Sequence, residues 1–242
     1  SAVIANSRNT RRILEEIGVP PQKIQTIHPG VDAHRFSSEA DGNAVRARYG
    51  IGDSPLLLTV GRLQKRKGHD MVIRALATVR KRFPGVRYLV VGAGDEEEGL
   101  RSLALDLGVS DAVVFAGKLP EEDLPSCYAA CDLFIMANRT VNQDIEGFGM
   151  VFLEANAAGK PVIGGVSGGT QDAIVDGETG FRVDAEGPAA IATAIERLLA
   201  DPDLRKRMGC AGRRRVEREF GWDRVVEKTR RVAERAGLRR NR

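Results

Sequence analysis

Cysteine is too scarce here to staple a fold. Cys127, Cys131 and Cys210 are three in 242 residues, and an odd, widely spaced trio makes no disulfide framework. Cys127 and Cys131 stand four apart in an apolar helical stretch with no histidine nearby in sequence to complete a zinc set. All three read as small buried hydrophobes of a reducing compartment. Histidine is equally sparse. His28, His34 and His69 are scattered, none beside a Ser or Cys in a nucleophile pattern, and structural roles are expected of them. No apolar run approaches the roughly 20 residues of a membrane-spanning helix. Neither a signal peptide nor an initiating Met is visible. Because Ser1-Ala-Val-Ile-Ala already reads as a buried strand, an internal start is expected. Repeats and low-complexity tracts are lacking too. What is present, 42% hydrophobic and 29% charged residues, is the composition of a soluble globular protein, long enough for one large α/β domain or two small ones.

The net charge of +4 is unevenly spread. From Asp201 onward 15 Lys/Arg face 7 Asp/Glu, a surplus of eight, which leaves the first 200 residues at −4. The basic character therefore belongs to the C-terminal stretch. It reads first as a solvated helical face, with peripheral contact to an anionic membrane as its alternative use. Nucleic acid is not expected as a partner, since no aromatic residue follows Trp222 to stack on bases.

Between these ends, short apolar β-branched runs alternate with helical patterns. Expected strands are Leu56 to Val60, Tyr88 to Val91, Val113 to Ala116, Leu133 to Met136, Val162 to Gly164 and Phe181 to Val183. Val72, Leu76, Val79 and Phe83 make the one-faced stripe of a helix. Near-continuous apolar strands separated by helices imply a parallel sheet covered on both faces, hence a doubly wound, Rossmann-like α/β fold. Residues 1–36 give a strand, a helix around Asn9 to Ile17, then Ile24 to Ile27 and the turn His28-Pro29-Gly30. From about Pro188 two or three helices follow without a strand. Asp201-Pro202 reads as an N-cap with Pro at the first helical position, and Gly221 breaks the last run.

Such sheets place ligands beyond the carboxyl ends of their strands, which directs attention to four loops. Gly61-Arg62-Leu63-Gln64-Lys65-Arg66-Lys67-Gly68 follows a strand directly and is expected to open a helix, where its four cations oppose the helix dipole unless an anion is bound. Gly92-Ala93-Gly94-Asp95-Glu96-Glu97-Glu98 invites a dinucleotide reading, but Glu97 replaces the third glycine and the acids would repel a pyrophosphate. It reads as a turn and an acidic helix start. Glu146-Gly147-Phe148-Gly149-Met150 through Glu154 sets two glycines at a helix start, so free amides would face the cleft. Its glutamates are about 12 Å apart by helix rise, too far for the roughly 5 Å pair of a retaining glycosidase. They read as two separate acceptors spaced along one extended ligand. Gly164 to Thr170, rich in glycine, permits close approach of a ligand or a tight loop.

Val60-Gly61-Arg62-Leu63 with Lys67-Gly68, and Glu146-x7-Glu154 inside Glu-Gly-Phe-Gly-Met-Val-Phe-Leu-Glu-Ala, resemble family 4 of the retaining GT-B glycosyltransferases. Pro161-Val162-Ile163-Gly164, Ser167-Gly168-Gly169 and Asp176-Gly177-Glu178-Thr179-Gly180 do so as well. Ile27-His28-Pro29-Gly30-Val31-Asp32 and Phe36 look like that family's interdomain crossover, and the nearest likeness is to mannosyltransferases acting on phosphatidylinositol mannosides. The resemblance implies the second half of a GT-B fold, with residues 1–40 as crossover and 41–242 as the nucleotide-sugar-binding domain. It implies that Arg62 and Lys67 neutralise the donor diphosphate beside Gly61, and that Glu146 binds sugar hydroxyls. Phe148, Gly149 and Met150 would offer amides, Glu154 would accept from the ribose, and Gly117-Lys118-Leu119 would lie along the base. Asp172 stands where Glu is usual.

The expected activity is hexosyl transfer with retention, without metal or other cofactor, from GDP-mannose or a UDP-sugar to a glycan or lipid-linked acceptor. Glu146, Arg62 and Lys67 are the candidate catalytic residues. Epimerisation of a sugar nucleotide and non-catalytic binding are the alternatives. Nothing in the sequence corresponds to the family's first, acceptor-holding Rossmann domain, so weak turnover or none is expected of this chain by itself. The expected location is the cytoplasm, with the inner face of the membrane open to the basic tail.

Overall fold

The protein is described by a computed structural model over residues 2–37 and 40–237. It opens with a short parallel pair, β1 Val3–Ala5 and β2 Ile24–Thr26, connected through α1 Arg8–Glu16. Ser7 caps α1 by accepting from the Thr10 amide, and the helix starts one residue before the expected Asn9. α2 Gly42–Arg48 follows, capped by Asp41. The main sheet then builds from β3 Leu56–Val60, α3 His69–Val79, β4 Arg87–Val91, α4 Glu97–Asp106, β5 Val113–Gly117, α5 Leu124–Ala130 and β6 Leu133–Met136. It continues through α6 Met150–Ala157, β7 Val162–Gly165, the single turn α7 Thr170–Ala173 and β8 Gly180–Val183. Each of the six strands falls within one residue of its apolar run. Three helices close the chain: α8 Pro188–Ala200, α9 Pro202–Glu219 and α10 Trp222–Arg235. Asp201 caps α9 through the Leu204 amide, and Gly221 separates α9 from α10.

All six strands are parallel, in the order β5-β4-β3-β6-β7-β8. The chain thus starts in the middle, works outward to β5, and returns to lay β6 on the other side of β3. The helices that follow β3 and β6, α3 and α6, lie on opposite faces at this reversal, the point at which doubly wound sheets generally place their ligands. The sheet is covered on both sides because its strands are apolar on both. Leu57 joins a core with α3, α4 and α8, while its neighbours Leu56 and Leu58 join one with α2, α5 and α6, the period-two alternation of a strand. Each fully buried Leu contributes roughly 1.5–3 kcal/mol. α9 serves both cores, Met208 lying in the first and Val216 in the second.

The strand-end loops pack backbone against backbone. Gly68 takes a left-handed φ of 74°, and a Cβ there would lie 1.8 Å from the Ala137 carbonyl oxygen. At Gly169 the constraint is steric alone: a Cβ would sit 2.1 Å from the Gly147 oxygen, and the Gly169 amide donates to the Glu146 carbonyl at 2.7 Å. Gly99, exposed on α4, has nothing within 4 Å of its Cβ position. Gly169→Ala is expected to lower the unfolding free energy by about 1–3 kcal/mol, and Gly99→Ala to raise it by about 0.5–1 kcal/mol. Denaturant titration of the two variants checks both signs.

Candidate functional site

The β3 and β6 loops meet through charge. Lys67 Nζ lies 2.5 Å and Arg66 Nη1 2.9 Å from the same oxygen of Glu146, Oε2. Arg66 Nε stands 2.9 Å from Asp144, without the alignment of a hydrogen bond. The three central side chains are only 11–12% exposed. Two cations here face two carboxylates, Glu146 and Asp144, and low exposure preserves the field between them. Gly61 borders this group, its Cβ position 4.0 Å from Lys67 Cε. The Arg62 side chain is exposed beside it and makes no ion pair or hydrogen bond among the described residues. Its carbonyl is held instead, accepting from the Gln64 amide at 2.9 Å and approached by His69 Nε2 at 3.3 Å.

His69 is the anchor of this loop. Burial lowers its pKa to about 4, so the imidazole is neutral, and its Nδ1 lies 3.3 Å from the Tyr88 hydroxyl. That hydroxyl in turn meets Thr59 at 2.8 Å in the middle of the sheet. The expected structural role of a histidine holds at this position. Arg139 adds a second brace, pairing both arms with the Asp70 carboxylate at 2.8–2.9 Å, while its amide donates to the Arg66 carbonyl.

After Glu146 the backbone turns sharply. Phe148 is buried, Gly149 takes a φ of 91°, and α6 begins at Met150. The amides of Phe148, Gly149 and Met150 find no acceptor among the described residues. They are the unsatisfied donors of a helix start, and they adjoin the carboxylate that the two cations hold. Glu154 lies on the second turn of α6 with a partner of its own: the Tyr128 hydroxyl donates to Oε2 at 2.5 Å. Burial raises the Glu154 pKa, opposed by that hydrogen bond, and burial beside Glu154 raises the Tyr128 pKa strongly. The two glutamates are therefore independent groups. On the loop after β5 Lys118 is exposed and Leu119 packs partly into the core.

Several expectations need correction. The cations after β3 do not open a helix: Lys65–Lys67 form a 3-10 turn, and α3 starts after the left-handed Gly68. Arg66 and Lys67 also have protein partners that the sequence does not mark, Glu146 and Asp144. Of the two readings left open for the loop Gly164 to Thr170, tight packing is seen at Gly168 and Gly169, which lie against the Glu146–Gly147 backbone. Asp172 is buried and accepts from the Arg8 amide at 2.6 Å and from its guanidinium. Cys127 and Cys131 are buried as expected, burial pushing their thiols up to about 11 and about 12. Cys210 is exposed on α9, because Met208, Gly209 and Gly212 take the inward positions there. The turn after β4 is a turn and acidic helix start as read, with the Leu63 amide donating to the Ala93 carbonyl. No helix among the described residues is long and apolar enough to cross a membrane.

The family model described as "Glycosyl transferases group 1" matches residues 43–215, well over half of the chain. The chain belongs to this family of glycosyl transferases. A second model, "Glycosyltransferase Family 4", matches residues 1–35. Among curated members, a GDP-mannose-dependent alpha-(1-6)-phosphatidylinositol monomannoside mannosyltransferase of Mycolicibacterium smegmatis is 43% identical over 219 residues, 89% of this chain and 57% of that protein. A D-inositol 3-phosphate glycosyltransferase of Acidothermus cellulolyticus is 38% identical over 229 residues, 90% of this chain and 49% of that protein. The chain thus spans about half the length of such relatives. Among solved structures, Anabaena HepE in complex with UDP and glucose superposes with a TM-score of 0.86 at 26% identity, over 98% of this chain and 63% of that one. The C-terminal domain of the group 1 protein LpcC of Francisella tularensis gives 0.68 at 25% identity, over 79% of this chain and 99% of that one. These likenesses bear out the Rossmann-like reading of this glycosyl transferase chain and its resemblance to GT-B enzymes.

The Glu154 carboxyl has a pKa above its ordinary value of 4.5, so its share of stability is present at low pH and lost as pH rises through the folded value. Tyr128→Phe removes the hydrogen bond that opposes this shift and is expected to move the carboxyl's titration further upward. Carbon-detected NMR of the Glu154 side chain checks the direction.

Proposed function

We propose that this chain is the donor-binding half of a retaining hexosyltransferase that takes mannose from GDP-mannose and transfers it to an acceptor bearing an inositol phosphate. Residues 41–242 form the donor domain in this reading, and residues 1–40 the crossover to the acceptor side. The observation that carries it is the grouping of Lys67, Arg66 and Glu146 at the sheet's reversal point, next to the free amides at the start of α6. Support for transfer, as against epimerisation or simple binding, comes from the relatives: those quoted above are named as transferases, one of them GDP-mannose-dependent. Both of their names place phosphate on an inositol, which suggests the acceptor class.

The chemistry follows from charge. Breaking a glycosidic bond to a nucleoside diphosphate leaves negative charge on the departing phosphate. Lys67 and the exposed Arg62 stand ready to neutralise it, with Phe148, Gly149 and Met150 amides as further donors. One charge pair at about 4 Å and an intermediate effective dielectric amounts to about 4 kcal/mol, roughly three powers of ten in rate if felt mainly in the transition state. Glu146, bound to two cations, is a weak nucleophile. Its role in this reading is to accept hydrogen bonds from the sugar and to hold Lys67 in place. Attack from the face of the departing phosphate then accounts for retention. Glu154 would accept from the ribose, and Lys118 and Leu119 would lie along the base.

Calorimetric titration with GDP and with UDP tests the donor. Tighter binding of GDP is expected, and failure of both nucleotides to bind would overturn the proposal. Lys67→Ala is expected to weaken GDP binding by about 10- to 100-fold, one ion pair's worth at partial exposure, with the fold retained by circular dichroism. Because protein cations supply the neutralising charge, a chelator such as EDTA is expected to leave GDP affinity unchanged in the same titration.

A further inference from the structure

Unlike Glu146, Glu154 forms no ion pair among the described residues. Its carboxylate lies part-buried, and the partner it has there is a neutral phenol, the Tyr128 hydroxyl at 2.5 Å. Arg35 and Glu121 are the charged groups that face it, and they are held by each other. Arg35 Nη1 lies 3.5 Å from the Glu121 carboxylate, and Nη2 donates to the Glu121 carbonyl at 2.6 Å. Burying a carboxylate without a paired cation works against folding, which marks Glu154 as a group kept for a ligand.

Tyr128 is fixed more firmly than the acid it holds. Its ring is fully buried, edge-on to Phe36 at 5.5 Å between centroids and tilted against Phe134 at 5.7 Å. Burial beside Glu154 keeps the hydroxyl protonated, so it acts as a donor. The nearby thiols of Cys127 and Cys131 are neutral too. A glutamate side chain is long and turns freely, and a hydrogen bond from a locked phenol removes much of that freedom before a ligand arrives. With Oε2 taken, Oε1 is left, and it accepts nothing among the described residues. A carboxylate oxygen has lone pairs for two hydroxyls, and a ribose presents two side by side in its 2′,3′-diol.

We propose that Tyr128 is a positioning residue of the donor site: its hydroxyl holds one oxygen of Glu154 and leaves the other free for the 2′,3′-diol of the donor's ribose, so that the site selects ribonucleotides over deoxynucleotides. This deepens the donor reading above and rests on it. Tyr128 acts through Glu154 and touches no atom of the donor. Its second effect is on charge. A carboxylate is about twice as strong an acceptor as a neutral carboxyl, and the phenol's hydrogen bond favours the ionised form where burial disfavours it. Because Glu154 titrates above its ordinary 4.5, selection for ribose is full at high pH and fades as pH falls through the folded value. Without the hydroxyl the fading begins at higher pH.

The test compares GDP with 2′,3′-dideoxy-GDP by calorimetric titration of the full chain between about pH 5 and about pH 8. Both nucleotides carry the same diphosphate, so its own protonation cancels in the ratio of their affinities. The wild-type chain is expected to favour GDP by about tenfold or more at the upper pH, and by less at the lower. In Tyr128→Phe, which keeps the buried ring, the ratio is expected to fall about three- to tenfold at neutral pH and to recover in part as pH rises. Glu154→Gln cannot ionise and is expected to give a low ratio that does not change with pH. A Tyr128→Phe chain with the wild-type ratio at every pH, whether or not both nucleotides bind more weakly, overturns the inference and leaves the donor reading standing. No preference for GDP over the dideoxy compound in the wild-type chain overturns the ribose role of Glu154 and this inference with it. Failure of both nucleotides to bind overturns the donor reading itself.

Discussion

Contact between strand-end loops, with no side chain in between, sets the geometry on which everything else here depends. Gly68 rests on the Ala137 carbonyl, and Gly169 on the Gly147 carbonyl. These two contacts tie the loop after β3 to that after β6, and the loop after β7 to the start of α6. Only at such short range can Lys67 and Arg66 reach Glu146, 79 and 80 residues away in the chain. The electrostatics of the site are a product of backbone packing. A methyl group at either glycine would separate the charges before it disturbed either core.

Neutral His69 plays a complementary part. The loop after β3 carries Arg62, Lys65, Arg66 and Lys67 in succession, and such a run repels itself. A protonated imidazole beneath it would add to the repulsion. Burial keeps His69 uncharged, and its two nitrogens meet the Arg62 carbonyl and the Tyr88 hydroxyl. Thr59, Tyr88 and His69 form a polar thread from the middle of the sheet to the loop above it, which holds a crowded set of cations in register without another charge.

How legible this was from the sequence follows from the range of the interactions. The six strands are buried on both faces, so each is written as a contiguous apolar run, and each was placed to within a residue. Asp201 and Gly221 announce helix ends by local chemistry and do mark them. α2 and α7 went unread because they are one or two turns long and carry little periodicity. The site was harder. Lys67, Gly61, Glu146 and Phe148 were singled out from their loops, and the structure brings them together, yet their pairing could not be read. Glu154 with Tyr128 spans 26 residues and Arg8 with Asp172 spans 164, and no local pattern marks either. That Glu146 and Asp144 partner this run of cations could not be read either, because they lie far along the chain. For the same reason the sequence leaves open whether the glycines near Gly169 serve a ligand or a tight loop; another stretch of backbone fills the space at Gly168 and Gly169.

α9 places Met208 in the core on one side of the sheet and Val216, two turns further on, in the core on the other. A helix that clamps both layers couples their melting. Neither half can loosen without pulling at the same 18-residue rod, so heat should take the two layers apart in one cooperative step, and the loops at the sheet's upper rim should keep their spacing until that step is reached.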